Sequence, residues 1–118
     1  MKPKTFECSF NAALHVIGGR WKMLIIYNLL EGIARFNELQ RATSGISKRV
    51  LTQQLRQLER DGIVTRKVFD QSPPRVEYAL TDLGRSLEPV MELLCTWGEG
   101  YEQRLAAMQP TPRAEPVT

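Results

Sequence analysis

Residues 46–62 read ISKRVLTQQLRQLERDG. Leu51, Leu55 and Leu58 recur at helical spacing and so define one buried stripe. Ser47 stands where an N-cap belongs, with a hydroxyl that accepts an otherwise unpaired backbone N–H. Ile46 ahead of it and Leu51 inside the helix can close a hydrophobic staple, and Gly62 supplies a left-handed stop. Burying the leucines leaves Lys48, Arg49, Thr52, Gln53, Arg56 and Arg60 on or near the opposite face, which carries almost no acid. Arg49, Gln53 and Arg56 fall at i, i+4 and i+7, one line of side chains able to reach into a groove.

Upstream of this segment, short helices accumulate. Phe10, Ala13, Leu14 and Ile17 are spaced for a first helix that Gly18-Gly19 ends. The run WKMLIIYNLL, residues 21–30, is apolar nearly all round and predicts a buried central helix, with Gly32 just past its end. Phe36 and Leu39 mark a third, shorter helix within RFNELQRAT. Downstream, IVTRKVF and RVEYAL flank Asp70-Gln71-Ser72-Pro73-Pro74, and Val76, Tyr78 and Leu80 alternate with Arg75, Glu77 and Ala79. That pattern is a hairpin with its tip at the prolines. Thr81 can cap a final helix from Asp82 to Met108 that carries Leu83, Leu87, Val90, Met91, Leu94, Trp97, Tyr101 and Leu105, with a kink expected at Pro89. At about 1.5 Å per residue such a helix is roughly 40 Å long, more than one small domain covers, so part of its stripe calls for a partner chain.

The expected fold is therefore mainly α with a small antiparallel hairpin (α+β), a winged helix-turn-helix over residues 1–108, followed by a mobile proline-rich tail at 109–118. A length of 118 residues suits one core and is too short for a cofactor domain joined to a substrate domain. Apolar content of 42% and charged content of 25% are globular values, which exclude a disordered chain. No run reaches the roughly 18 apolar residues of a membrane span, so no membrane partner and a cytoplasmic location are expected. Charge is uneven. From Arg35 through Arg75 nine basic residues stand against four acidic ones, a net of +5, whereas the rest of the chain carries −2. A basic middle between acidic ends is an electrostatic footprint for a polyanion, the alternative being a solvated charged face.

IGGRWKMLIIYNLLEG, RFNELQRATSGISKRVLTQQLRQLERDGIVTRKVF, PPRVEYALTDLGRSLEPVMELLCTWGE and the upstream Cys8 together resemble the HxlR-type regulators, a branch of the MarR-like winged-helix repressors and activators. The likeness runs roughly from residue 6 to residue 101, and its specificity lies in the joint order and spacing of these pieces. It implies a bacterial dimeric transcription regulator whose first and last helices form the dimer interface. Leu14, Met91, Leu94, Trp97 and Tyr101 are the interface candidates; the alternative is that they fold back on their own domain.

The residues support a mechanism beside that resemblance. The major groove is about 12 Å wide and admits one helix, here the segment of about 47–61. Ser47, Lys48, Arg49, Thr52, Gln53 and Arg56 are the candidate contacts. Arg pairs with guanine O6 and N7, and Gln with adenine N6 and N7, which makes Arg49 and Gln53 the base readers and leaves Lys48 and Arg56 for phosphate. Positioning on phosphate alone is the bland alternative for all of them. Arg75, in a wing of about 69–76 beside the proline pair, is placed for the minor groove, with a surface salt bridge as its other role. A two-fold dimer would set two reading helices about 34–36 Å apart on a pseudo-palindromic operator.

Cys8 lies just ahead of the first helix, where the positive end of the helix dipole favours a thiolate. Some relatives use a cysteine at the matching place to sense quinones, aldehydes or oxidants, which makes a small electrophile or oxidant a candidate inducer. Here Ser9 follows where the family commonly has proline, and Glu7 opposes the thiolate; an inert thiol is the alternative. Cys95, between Leu94 and Trp97, reads as packing, and His15 as interface packing rather than a metal ligand. No nucleophile, base and orienting residue recur in a catalytic arrangement and no glycine-rich phosphate loop occurs, so neither catalysis nor a cofactor is expected. The other function class left standing is a winged protein-binding adaptor that docks an acidic partner.

Overall fold

The computed structural model describes residues 6–108. The tail expected to be mobile, 109–118, lies outside them. Two compact units make up the chain, one ending at Glu88 and the other beginning at Pro89.

In the first unit, helix α1 spans Phe6–Ile17, α2 Arg20–Leu30, α3 Phe36–Ala42 and α4 Lys48–Arg60, followed by strands β1 Val64–Phe69 and β2 Arg75–Leu80 and the short helix α5 Asp82–Arg85. Helix α1 starts one turn earlier than the apolar spacing predicts. The Phe6 and Phe10 rings stack in that added turn at 5.6 Å, and Glu7 sits at the positive end of the helix. No residue of α1 is buried in the chain, so its first turn leaves no burial signal to read.

The core is built from α2, α3, α4 and the hairpin. Ile25, Ile26, Leu39, Leu51, Leu55, Leu58 and Val64 are fully buried. Leu24 and Tyr27 are exposed, so α2 buries a face and not its whole circumference. One buried polar pair fixes the turn between α3 and α4. The Asn28 Nδ2 amide on α2 donates to Thr43 Oγ1 at 3.0 Å, satisfying two groups that would otherwise be buried unpaired. The Gln40 amide closes the same turn by donating to the Ile46 carbonyl at 3.3 Å.

At the far end of α4, Gly62 adopts φ +77, its N–H donating to Glu59 and that of Ile63 to Leu58. This is a Schellman stop, and it turns the chain straight into β1. β1 and β2 pair antiparallel from Val64↔Leu80 to Phe69↔Arg75. A single bridge, Arg35↔Glu77, joins the other edge of β2 to the start of α3, and the Tyr78 N–H donates to the Ala34 carbonyl at 2.8 Å. β2 is thereby paired on both edges, to β1 within the wing and to the start of α3 in the helix-turn-helix.

Thr81 caps α5 as its position predicts, accepting from the Gly84 N–H at 3.0 Å while its hydroxyl donates to the Gly62 carbonyl at 2.6 Å. Gly84 is buried, and a β-carbon there would collide with the Ile63 carbonyl. The continuous helix expected from Asp82 to Met108 is broken at Ser86–Leu87, and helix α6 restarts at Glu88 and runs to Met108. Pro89 explains the restart. A proline in mid-helix loses an N–H bond and clashes with the carbonyl four residues back, whereas in a first turn that N–H has no partner to lose. The break falls before Pro89 and is complete, where a kink was expected.

Helix α6, 21 residues and about 30 Å long, makes up the described part of the second unit from Pro89 onward. Among the described residues no helix is long and apolar enough to cross a membrane.

Candidate nucleic-acid interface

Helix α4 presents the predicted reading face. Ser47 Oγ accepts from the Val50 N–H at 3.1 Å, so the helix entry is fixed by the residue expected to cap it. Leu51, Leu55 and Leu58 anchor the inner stripe. Ser47, Lys48, Arg49, Gln53 and Arg56 are exposed, and Thr52 is half-buried. The Thr52 hydroxyl donates to the Lys48 carbonyl at 2.8 Å, which leaves its oxygen only as an acceptor toward a ligand. Helix α4 thus offers a rigid row of cationic and amide side chains on a packed support.

Arg75 is held more closely than its wing position suggests. Its guanidinium lies 4.2 Å from the Phe69 ring centre, and Nε sits 3.0 Å from Glu77 Oε2. That Nε is covered, and the contact is an ion pair without the alignment of a hydrogen bond. Glu77 Oε2 also lies 3.7 Å from Arg35 Nε, so one carboxylate ties the start of α3 to the wing near its tip. The tip beyond contains a cis Ser72–Pro73 peptide.

Between α3, α4 and the hairpin lies an open cleft of about 720 Å³. Thr52, Arg56 and Arg75 reach it, joined by three arginines the sequence counted in its basic middle but did not single out: Arg35, Arg41 and Arg66. Charge density was their only sequence signal; the bridge that brings Arg35 beside the wing is a long-range pairing. Tyr78 forms part of the same wall. Burial raises its phenol above the usual 10, against the opposing pull of Arg66.

The other predicted sites lie apart from this face. Leu14 is 44% exposed on α1, and Leu94, Trp97 and Tyr101 are 54%, 69% and 48% exposed on α6. Trp97 and Tyr101 stack at 5.3 Å. Met91, expected beside them at an interface, is only 7% exposed in the single chain. Cys8 lies inside the first turn of α1, not ahead of it, and is exposed. Cys95 is exposed as well, so it does not pack within its own chain. His15 Nε2 stands 3.7 Å from Asp61 Oδ1. Among the described residues, no group of three or more His, Cys, Asp or Glu is placed to hold a metal ion.

Three helices, a reading helix, a two-stranded wing and a terminal helix define a winged helix-turn-helix protein. The chain matches the HxlR-like helix-turn-helix family over residues 16–106 and belongs to that family, whose members are DNA-binding transcriptional regulators. YdeP of Bacillus subtilis, an uncharacterised HTH-type transcriptional regulator, is 45% identical over 108 residues, spanning 92% of this chain and 84% of its own. The redox regulator HypR in its reduced form superposes with a TM-score of 0.77 at 46% identity, over 84% of this chain and 98% of that one. Diamide-treated YodB from B. subtilis does so with a TM-score of 0.66 at 33% identity, over 79% and 92%. The protein is a winged-helix transcriptional regulator, and the resemblance read from its sequence holds.

Proposed function

We propose that the protein acts as a homodimer on a pseudo-palindromic duplex operator, with the helix of about 47–61 in the major groove and the wing of about 69–76 along the minor groove. Arg49 and Gln53 read base edges, while Ser47, Lys48, Thr52 and Arg56 hold the helix against the backbone and Arg75 serves from the wing. The observation that carries this reading is the face of α4, cationic and exposed on a leucine stripe that is wholly buried. Leu14, Met91, Leu94, Trp97 and Tyr101 supply the dimer contacts, supported by the apolar area that all but Met91 leave in water. No cofactor takes part, and the site of action is the cytoplasm.

Cys8 is the point of control. Its exposure in the first turn of α1 puts the thiol near the positive helix end, and similarity to HypR and YodB, structures described as redox-regulated or diamide-treated, favours thiol modification by an electrophile or oxidant.

Selection of bound fragments from a random duplex pool tests the reading directly. Enrichment of an inverted repeat with half-sites about one helical turn apart supports it. Equal retention of all sequences, or capture of acidic proteins without duplex binding, would favour the adaptor instead. Repeating the selection after a quinone or diamide challenge, with wild type beside Cys8→Ser, tests the control point. Release that is the same in both proteins removes Cys8 from the mechanism.

A further inference from the structure

Five arginines from separate parts of the chain converge on one cleft: Arg35 ahead of α3, Arg41 on α3, Arg56 on α4, Arg66 on β1 and Arg75 on β2. Only two carboxylates, Glu38 and Glu59, line it with them. Crowding like charges costs stability, and a concave wall with a cationic excess concentrates its field on the space it encloses. Such a cleft is suited to an anion. Glu77 offsets one unit of that charge, but the carboxylate meets Arg35 and Arg75 through Nε and leaves the Nη donors of both forks for a ligand.

The cleft is continuous with the outward face of α4, because Thr52 and Arg56 belong to both. A helix lying in a groove about 12 Å wide has a phosphate strand running along each side. The cleft opens beside α4, where one of those strands must pass. An open trough with guanidinium walls suits phosphodiesters, which Arg forks bind in bidentate fashion.

We propose that this cleft seats one strand of the DNA backbone, with Arg35, Arg41 and Arg66 as phosphate contacts beyond those on α4. The inference rests on α4 being the DNA-facing helix. Backbone contacts carry no base information, so these arginines would set affinity and register on every duplex alike.

The test is the salt dependence of binding to a labelled random-sequence duplex about three helical turns long. Arg35→Gln, Arg41→Gln and Arg66→Gln are compared with Arg85→Gln, which removes the same charge from exposed α5 outside the cleft. Each cleft variant should lower the slope of log K against log salt by about 1 and shrink the affinity ratio between low and physiological salt about threefold. Arg85→Gln should leave both unchanged, and Arg66→Lys should restore most of the slope. If the wild type binds with a steep slope that the cleft variants do not alter, or that Arg85→Gln alters equally, the cleft proposal falls while DNA binding stands. If the wild type shows no salt-dependent duplex binding, the reading of α4 falls and the cleft proposal with it. Thermal melting of each variant separates a lost contact from a lost fold: Arg41 is exposed on α3, and its slope decides the matter if another variant is destabilised.

Discussion

Helices α4 and α6 are the two long helices whose surfaces matter most, and they resolve the same problem in opposite ways. α4 has three leucines and buries all three, turning its cations outward. α6 has more apolar side chains and buries only Met91, leaving Leu93, Leu94, Trp97, Tyr101 and Met108 in water. The first helix is finished within one chain, since its hydrophobic stripe is spent on the core and its polar face is free for a ligand. The second is unfinished as it stands, because apolar area of that extent costs roughly 25 cal/mol for each Å² kept in water. In the proposed function, the exposed charge of α4 meets a polyanion and the exposed aromatics of α6 meet a second copy.

Leu55→Ala should break the distinction most severely on the α4 side. A fully buried leucine lost to a cavity costs about 3 kcal/mol, read as a lower urea midpoint at every protein concentration. On the α6 side, Trp97→Ala should act differently. It should cost about 2 kcal/mol of dimer affinity, seen by sedimentation as dissociation at working concentration, with little change in the far-UV spectrum. Were Trp97→Ala instead to lower the midpoint as Leu55→Ala does, independent of concentration, α6 would be finished within its own chain and the comparison would fail. Arg49→Ala should leave stability and oligomeric state alone and relax discrimination at one operator base pair by about 2 kcal/mol, measured by competition with single-substituted sites. Lys48→Ala should weaken all sites together. The smallest effect is expected of Ser47→Ala, about 1 kcal/mol of stability from the lost Oγ contact to the Val50 N–H. That variant sharpens the comparison, since fraying of the α4 entry should weaken DNA binding without touching the dimer.

Much of this was readable in advance because it is local. The Ser47 cap, the leucine spacing and the Gly62 stop depend on residues within a few positions of one another, and each appears in the structure as the sequence implies. The hairpin likewise follows from alternation on both sides of a proline tip. Burial along α6 was less legible, because it depends on what lies opposite. Met91 and Cys95 sit four apart in one apolar run, where periodicity alone gives no rule for burying the first and exposing the second. The break at Ser86–Leu87 was half legible: Pro89 announced a disturbance, but whether it bends a helix or starts a new one depends on the fate of the preceding turn, which Thr81 and the buried Gly84 hold against the root of the hairpin.

Helix order, the outward cationic face of α4 and the basic middle were legible along the chain, since spacing, caps and charge act over a turn or two. Long-range packing alone brings Arg35, Arg41 and Arg66 into one cleft with Arg56 and Arg75 and sets Glu77 between the wing and α3. The reason is physical. A backbone bridge between Arg35 and Glu77 joins residues far apart in the chain, and no local preference of either one encodes its partner.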